Sequence, residues 1–220
     1  MLCIQGLGFV GAAMSVAVAS ACSPSGESLY DVIGVDQDTD LGRQRVADIE
    51  AGRFPFSAQD PTLIAKLDEC HERGNLHATT DIEVYASADV VVIDVSLDIE
   101  FQDEEPRLDL KELKAAFLDV AKRVPEGALI LVETTVPPGT CAKVLKPILE
   151  EVSRSRGLST DAIYLAHSYE RVMPGEQYFD SITNFWRVYA GTTTRAAEAC
   201  ERFLSTLIDV TRFPLSRLAS

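Results

Sequence analysis

The stretch that decides the reading is MLCIQGLGFVGAAMSVAVASACS, residues 1–23, in which small and apolar side chains run on and the first basic residue is Arg43. Such a run can be a secretion signal, a buried strand and helix, or a loop that holds a phosphate. A signal peptide needs a positively charged segment ahead of its apolar stretch, and this one carries no charge. It also contains Gly6, Gly8 and Gly11 in the pattern G-x-G-x-x-G, which an apolar signal helix would have no use for.

The glycines follow a short apolar strand, LCIQ, and precede an apolar helix, AAMSVAVASA, which is the context a dinucleotide-binding turn requires. Gly6 permits the tight turn, Gly8 lets a diphosphate approach the backbone, and Gly11 lets helix and strand pack closely. The free N–H groups at the helix start then face the phosphates. A second strand, YDVIGVD, ends in Asp36, 25 residues after Gly11, near the spacing of the acid that takes the ribose hydroxyls. The carboxylate of Asp36 would repel a 2′-phosphate, so NAD is expected over NADP, although Arg43 and Arg45 lie close enough in sequence to weaken that preference. The plain alternative is a glycine turn that serves helix packing alone.

The rest of the chain supports one layered domain over residues 1–220. Hydrophobic residues make up 46% and charged residues 25%, the balance of a folded globular protein. Short β-branched runs alternate with longer amphipathic segments, the pattern of βαβ units. Strands are expected at Leu2–Gln5, Tyr30–Val35, Val90–Val95, Ala128–Glu133, Ile163–His167 and Arg187–Ala190. Several are continuous apolar runs, as parallel strands covered on both faces should be. Helices are expected near Ala12–Ala21, Gly42–Ala51, Pro61–Arg73, Leu110–Val124, Thr140–Arg156 and Thr194–Leu207. Asp109 and Thr194 read as caps, with Leu113, Phe117, Val120 and Val124 as one buried stripe and Ala197, Cys200, Phe203, Leu204 and Leu207 as another. The acidic stretch Asp98–Asp109 reads as a solvated loop, and residues 208–220 as a last strand and a turn. The fold class is therefore α/β, a doubly wound, mostly parallel Rossmann-type sheet with helices on both faces.

A net charge of −14 disfavours nucleic acid and anionic lipid as partners, and no other apolar run is long enough to span a membrane. The five cysteines, Cys3, Cys22, Cys70, Cys141 and Cys200, contain no CxxC pair and read as reduced thiols in the cytoplasm. His71, His77 and His167 lack zinc spacing, so no metal is expected; His167 reads as a satisfied strand-end histidine near the site.

Ligands of such sheets bind beyond the carboxyl ends of the strands. The residues there are Ser96, Leu97 and Asp98; Thr134, Thr135 and Val136 followed by PPGT; and Ser168, Tyr169, Glu170 and Arg171 followed by MPG. PPGT and MPG also read simply as turns, with Thr140 a helix N-cap.

In order and spacing, GLGFVG, VIGVD, AGRFPF, ETTVPPGT, YERVMPG and NFWRVYAG resemble the UDP-glucose/GDP-mannose dehydrogenase family, and the likeness spans nearly the whole chain. It is nearest to the N-terminal NAD-binding domain of the branch that oxidises UDP-N-acetyl sugars for surface polysaccharide synthesis. The resemblance implies a two-step oxidation of a sugar's C6 primary alcohol to a carboxylate, with two NAD reduced per turnover. It implies that Gly6, Leu7, Gly8, Phe9, Val10 and Gly11, with Asp36 and Arg45, hold the adenosine and diphosphate, and that Val95 and Ser96 touch the cofactor. It further implies that Thr135 positions a water or the nicotinamide and that Glu170 does acid/base work.

The pattern departs from the family in three places. IDVSLD lacks the proline usual there, Tyr169 stands where the family has a proline before the glutamate, and none of the five cysteines lies in the glycine-rich setting of the family's nucleophile. Cys141 comes nearest to a ligand edge but reads as packing. The expectation is a fragment of a longer enzyme, inactive alone, with the central helix and substrate domain absent; the nucleotide-sugar substrate and any homo-oligomer belong to the full-length protein. The other readings are a stand-alone NAD-sensing module without turnover, and an oxidoreductase of the 6-phosphogluconate or hydroxyacyl-CoA type, against which TVPPGT and ERVMPG argue.

Overall fold

The computed structural model describes residues 1–97, 99–102, 105–173 and 175–218. Asp98 and Pro174, both named among the strand-end candidates, lie outside the described residues.

Eight strands form one sheet in the order β10-β9-β8-β7-β4-β1-β2-β3. They are β1 (Leu2–Gln5), β2 (Val32–Val35), β3 (Leu76–Thr79), β4 (Val90–Ile93), β7 (Leu129–Val132), β8 (Tyr164–His167), β9 (Val188–Gly191) and β10 (Ser216–Arg217). All neighbours are parallel except β8 and β9. Successive side chains serve opposite faces, as a pleated strand dictates. Leu2 and Ile4 enter one apolar cluster while Cys3 enters the other, and Leu129 and Leu131 oppose Ile130 and Val132 in the same way. Each fully buried Leu, Ile or Val contributes about 1.5–3 kcal/mol, so a sheet apolar on both faces must be covered on both.

The helices supply that cover. On one face lie α1 (Phe9–Ser20), α2 (Asp40–Glu50), α3 (Pro61–Arg73), α6 (Tyr178–Thr183) and α7 (Thr194–Leu207). On the other lie α4 (Lys111–Ala121) and α5 (Lys146–Ser155). Helix α1 is buried at every residue from Gly11 to Ala19 because it is wedged between the sheet and both α3 and α6.

Several expectations are corrected. Thr193, not Thr194, caps α7, its hydroxyl accepting the Ala196 N–H at 3.1 Å. Thr140 makes no cap and instead donates its hydroxyl to the Pro137 carbonyl. Asp109 takes the Lys111 N–H at 2.9 Å, one residue outside the position that caps α4. The stretch taken as one helix from Thr140 opens with a wide π turn at Cys141–Leu145. Pro147 has no N–H to return to the preceding turn, and the chain widens there to accommodate it. The acidic stretch is not a loop: Ile99–Gln102 (β5) and Glu105–Leu108 (β6) pair antiparallel, apart from the main sheet. β3 and α6 were not expected, and neither was the 3₁₀ segment Ile82–Ser87.

Candidate functional site

Strand order reverses between β1 and β4: β2 and β3 extend the sheet on one side, β7 and β8 on the other. At that switch the loops beyond two neighbouring strands part and leave a crevice. Its volume is about 350 Å³, and its walls are Gly8, Phe9, Val10, Asp94, Val95, Ser96, Leu97, Thr134, Thr135 and Glu170.

The glycine loop builds one wall, and each glycine has a separate steric reason. Gly6 turns at φ +97°, and a Cβ there would lie 2.6 Å from the Asp94 carbonyl oxygen. A Cβ on Gly11 would lie 1.8 Å from the Gly6 carbonyl oxygen. A Cβ on Gly8 would meet only the Ser96 hydroxyl, at 3.9 Å, so it would project into the crevice itself. Gly8 starts α1 without a side-chain cap, and no acidic residue stands in the first turn. The helix's first N–H groups and the positive end of its dipole are thus left for an anion. Three close-packed backbones, one bare glycine and an uncapped helix start fit a dinucleotide's diphosphate.

The opposite wall is held by β4 and β7. Thr134 is buried and donates its hydroxyl to the Val95 carbonyl at 2.9 Å, tying the two strand ends together. Thr135 beside it is exposed. Glu170 is half-buried, its carboxylate accepting the Val172 N–H at 2.5 Å. Beneath them Arg187 and Glu133, 1% and 0% exposed, form an ion pair at 3.1 Å, and the same guanidinium donates to the Tyr169 carbonyl at 3.2 Å. Burial pushes the Glu133 carboxyl upward, and Arg187 opposes that push. Pinned this way, Tyr169 places Glu170 at the crevice although the proline of the family pattern is missing.

The sequence-derived site residues therefore divide. Gly8, Phe9, Val10, Val95, Ser96, Thr135 and Glu170 line one crevice. Gly6 and Gly11 stand behind the wall, while Leu7 is fully buried against Gly34 and offers only backbone. Asp36 and Arg45 sit apart, at the end of β2: Arg45 donates to one Asp36 oxygen at 3.2 Å, and the other accepts the Gln37 N–H at 2.8 Å. Arg45 also covers the Phe56 ring, 5.4 Å from its centroid, and Phe9 stacks on that ring at 4.1 Å. Arg43 is turned away to Asp38 and Asp40.

Phe56 and Asp94 are part of this arrangement and were not singled out from sequence, whereas Thr134 stood among the strand-end candidates. For Asp94 a signal existed: a lone acid inside the apolar run VVVIDV. His167 is tied by its Nδ1 to the Val132 carbonyl at 2.8 Å, and its desolvation lowers its proton affinity. Cys141 is half-buried against the core, where burial pushes its thiol up to about 12, the reverse of what an activated nucleophile needs.

Comparison with known proteins agrees with this geometry. The family model for the UDP-glucose/GDP-mannose dehydrogenase family, NAD binding domain, matches residues 1–208. A UDP-N-acetyl-D-mannosamine dehydrogenase of Pyrococcus horikoshii is 29% identical over 94% of this chain and 44% of its own length. One of Campylobacter jejuni is 31% identical over 90% of this chain and 45% of its own. The crystal structure of NDP-N-acetyl-D-galactosaminuronic acid dehydrogenase from Methanosarcina mazei superposes with a TM-score of 0.85 at 25% identity, covering 99% of this chain and 44% of that one. The chain thus spans less than half the length of the relatives it matches. No helix among the described residues is long and apolar enough to cross a membrane.

Proposed function

The chain belongs to the UDP-glucose/GDP-mannose dehydrogenase family, whose NAD-binding domain it matches, and on that premise we propose that it seats NAD at the β1/β4 crevice for oxidation of the C6 primary alcohol of a UDP-N-acetyl sugar. The observation that carries the reading is Gly8: its missing side chain opens directly into a crevice headed by the uncapped start of α1.

When bound, NAD would supply the acceptor for a hydride from the sugar carbon. The chain's own residues do the rest. The N–H groups at the start of α1 hold the diphosphate. Asp36 accepts from the adenosine hydroxyls, with Arg45 fixing its carboxylate and Phe56 backing Arg45. Val95 and Ser96 bound the nicotinamide side. Thr135 and Glu170, on the same crevice, orient a water and accept or return its proton.

Residues 1–220 act in this reading as one NAD-binding domain of a longer enzyme. No cysteine lines the crevice among the described residues, so the nucleophilic thiol and the grip on the sugar come from the part of the family's length this chain does not span. The domain alone then binds NAD and oxidises nothing. Calorimetric titration with NAD and NADP tests this: NAD binds, NADP binds more weakly, and no UDP-sugar is turned over. Equal or stronger NADP binding removes the role given to Asp36, and absence of any NAD binding removes the site.

A further inference from the structure

One group on the crevice wall is out of keeping with a diphosphate. Asp94 directly follows β4, is 7% exposed, and has no hydrogen-bond partner on either carboxyl oxygen. It stands against the glycine loop: its Cβ is 3.3 Å from where a Cβ on Gly11 would lie, and its carbonyl closes the space behind Gly6. The carboxyl therefore sits between the end of β4 and the start of α1, buried just behind the wall on which the diphosphate would rest.

The charges around it do not balance. Facing Asp94 are Glu133 beyond β7, Glu170 beyond β8 and Tyr178 on α6, with Arg187 ahead of β9 as the cation among the described residues. That guanidinium is already committed to Glu133, the Tyr178 hydroxyl donates to the Phe9 carbonyl, and α1 carries no ionisable side chain. Asp94 has no counter-ion, and a diphosphate adds negative charge beside it, where the burial of the carboxyl leaves repulsion less screened than in water.

We propose that dinucleotide binding is linked to a proton on Asp94: the diphosphate seats over the neutral carboxylic acid and is repelled by the carboxylate. This rests on reading the crevice as the dinucleotide site. Burial first, and then the Glu133 charge, hold the carboxyl well above the usual carboxylate range, with Arg187 opposing and Glu170 adding. The neutral form therefore persists at a pH where an exposed aspartate has ionised. The ligand raises the proton affinity further, so binding is at full strength below the free-state value. As pH rises through that value, binding falls by up to about tenfold per pH unit for one proton.

The test is calorimetry on the 220-residue chain from about pH 5.5 to about pH 9, in paired buffers of different ionisation enthalpy, which counts protons taken up per ligand. Wild type takes up protons with NAD, approaching one per ligand at the high end, and loses affinity there. ADP-ribose, which keeps the diphosphate and lacks the nicotinamide, takes up the same proton. Asp94→Asn, which keeps the shape without ionising, shows no uptake and binds more tightly than wild type at the high end. Asp94→Ala, checked by circular dichroism, repeats the loss of uptake, and the wild-type proton count decides the matter if either variant unfolds. NAD binding with no proton uptake overturns the proposal and leaves the site standing. Uptake that persists in Asp94→Asn, or occurs with NAD but not ADP-ribose, also overturns it. No binding of either ligand at any pH overturns both readings.

Discussion

Gly8→Ala separates the ligand crevice from the fold. The backbone there, φ −66° and ψ −171°, is ordinary for alanine, and the new methyl meets only the Ser96 hydroxyl, at 3.9 Å. The folded state gains no clash. Alanine caps a helix less well than glycine by a few tenths of a kcal/mol or somewhat more, while its smaller unfolded-state entropy returns about 0.4–1 kcal/mol. The net change in stability is therefore within about 1 kcal/mol of zero. The methyl does, however, occupy the surface a diphosphate must touch. Forcing one carbon into a fitted contact costs about 1–3 kcal/mol, which is roughly a five- to 150-fold loss of NAD affinity. Gly11→Ala is the contrast: its Cβ would stand 1.8 Å from a backbone oxygen that cannot yield, so the helix itself must shift, at about 3 kcal/mol or more. Urea unfolding and NAD titration on both variants give the comparison. A Gly8→Ala protein that binds NAD as wild type does would refute the placement of the diphosphate.

Three further outcomes are expected. Asp36→Asn weakens NAD by about ten- to 150-fold, since hydrogen bonds to a charged group are worth about 1.5–3 kcal/mol; it also frees Arg45, so NADP gains relative to NAD, and an unchanged ratio of the two affinities would count against the Asp36–Arg45 pair. Arg187→Met leaves Glu133 buried and unpaired, a loss of about 3–5 kcal/mol when it is ionised. Because the folded-state proton affinity of Glu133 is then raised above the unfolded one, its destabilisation is absent below the unfolded carboxylate value and grows as pH rises; urea midpoints at about pH 5 and about pH 8 should show the variant weaker at the higher pH. In native-state alkylation followed by mass spectrometry, the exposed Cys22 reacts first. Cys141, held up to about 12, trails it by more than tenfold, and equal rates would mean Cys141 is not the packed thiol described.

Legibility in the sequence followed the locality of the cause. The bounds of α3 are set by neighbours in the chain: Asp60 takes the Thr62 N–H, Pro61 opens the helix, and Gly74 closes it at φ +68°. That helix was read to the residue. The glycine loop is equally local, and β1 was placed correctly. β3 was missed because LHAT is half-exposed and short, and owes its strand character to pairing with β2. The β5–β6 pair is not legible because its acidic residues read as a solvated face. In the site, Gly8 and Glu170 announced themselves by motif. Asp94 did not, since the run VVVIDV reads as one strand; β4 stops at Ile93, which leaves the acid just past the strand end. The partnership of Glu133 with Arg187 spans 54 residues and has no sequence-local trace.

The burial of α1 limits how this domain can be altered. With every residue from Gly11 to Ala19 enclosed, that stretch of the helix has no solvent side on which selection could add or remove charge without disturbing packing. The grip on an anion proposed for it is in effect a fixed setting. Adjustment has to come from across the gap, from the residues that end β4 and β7, which can change polarity while the central helix stays as it is.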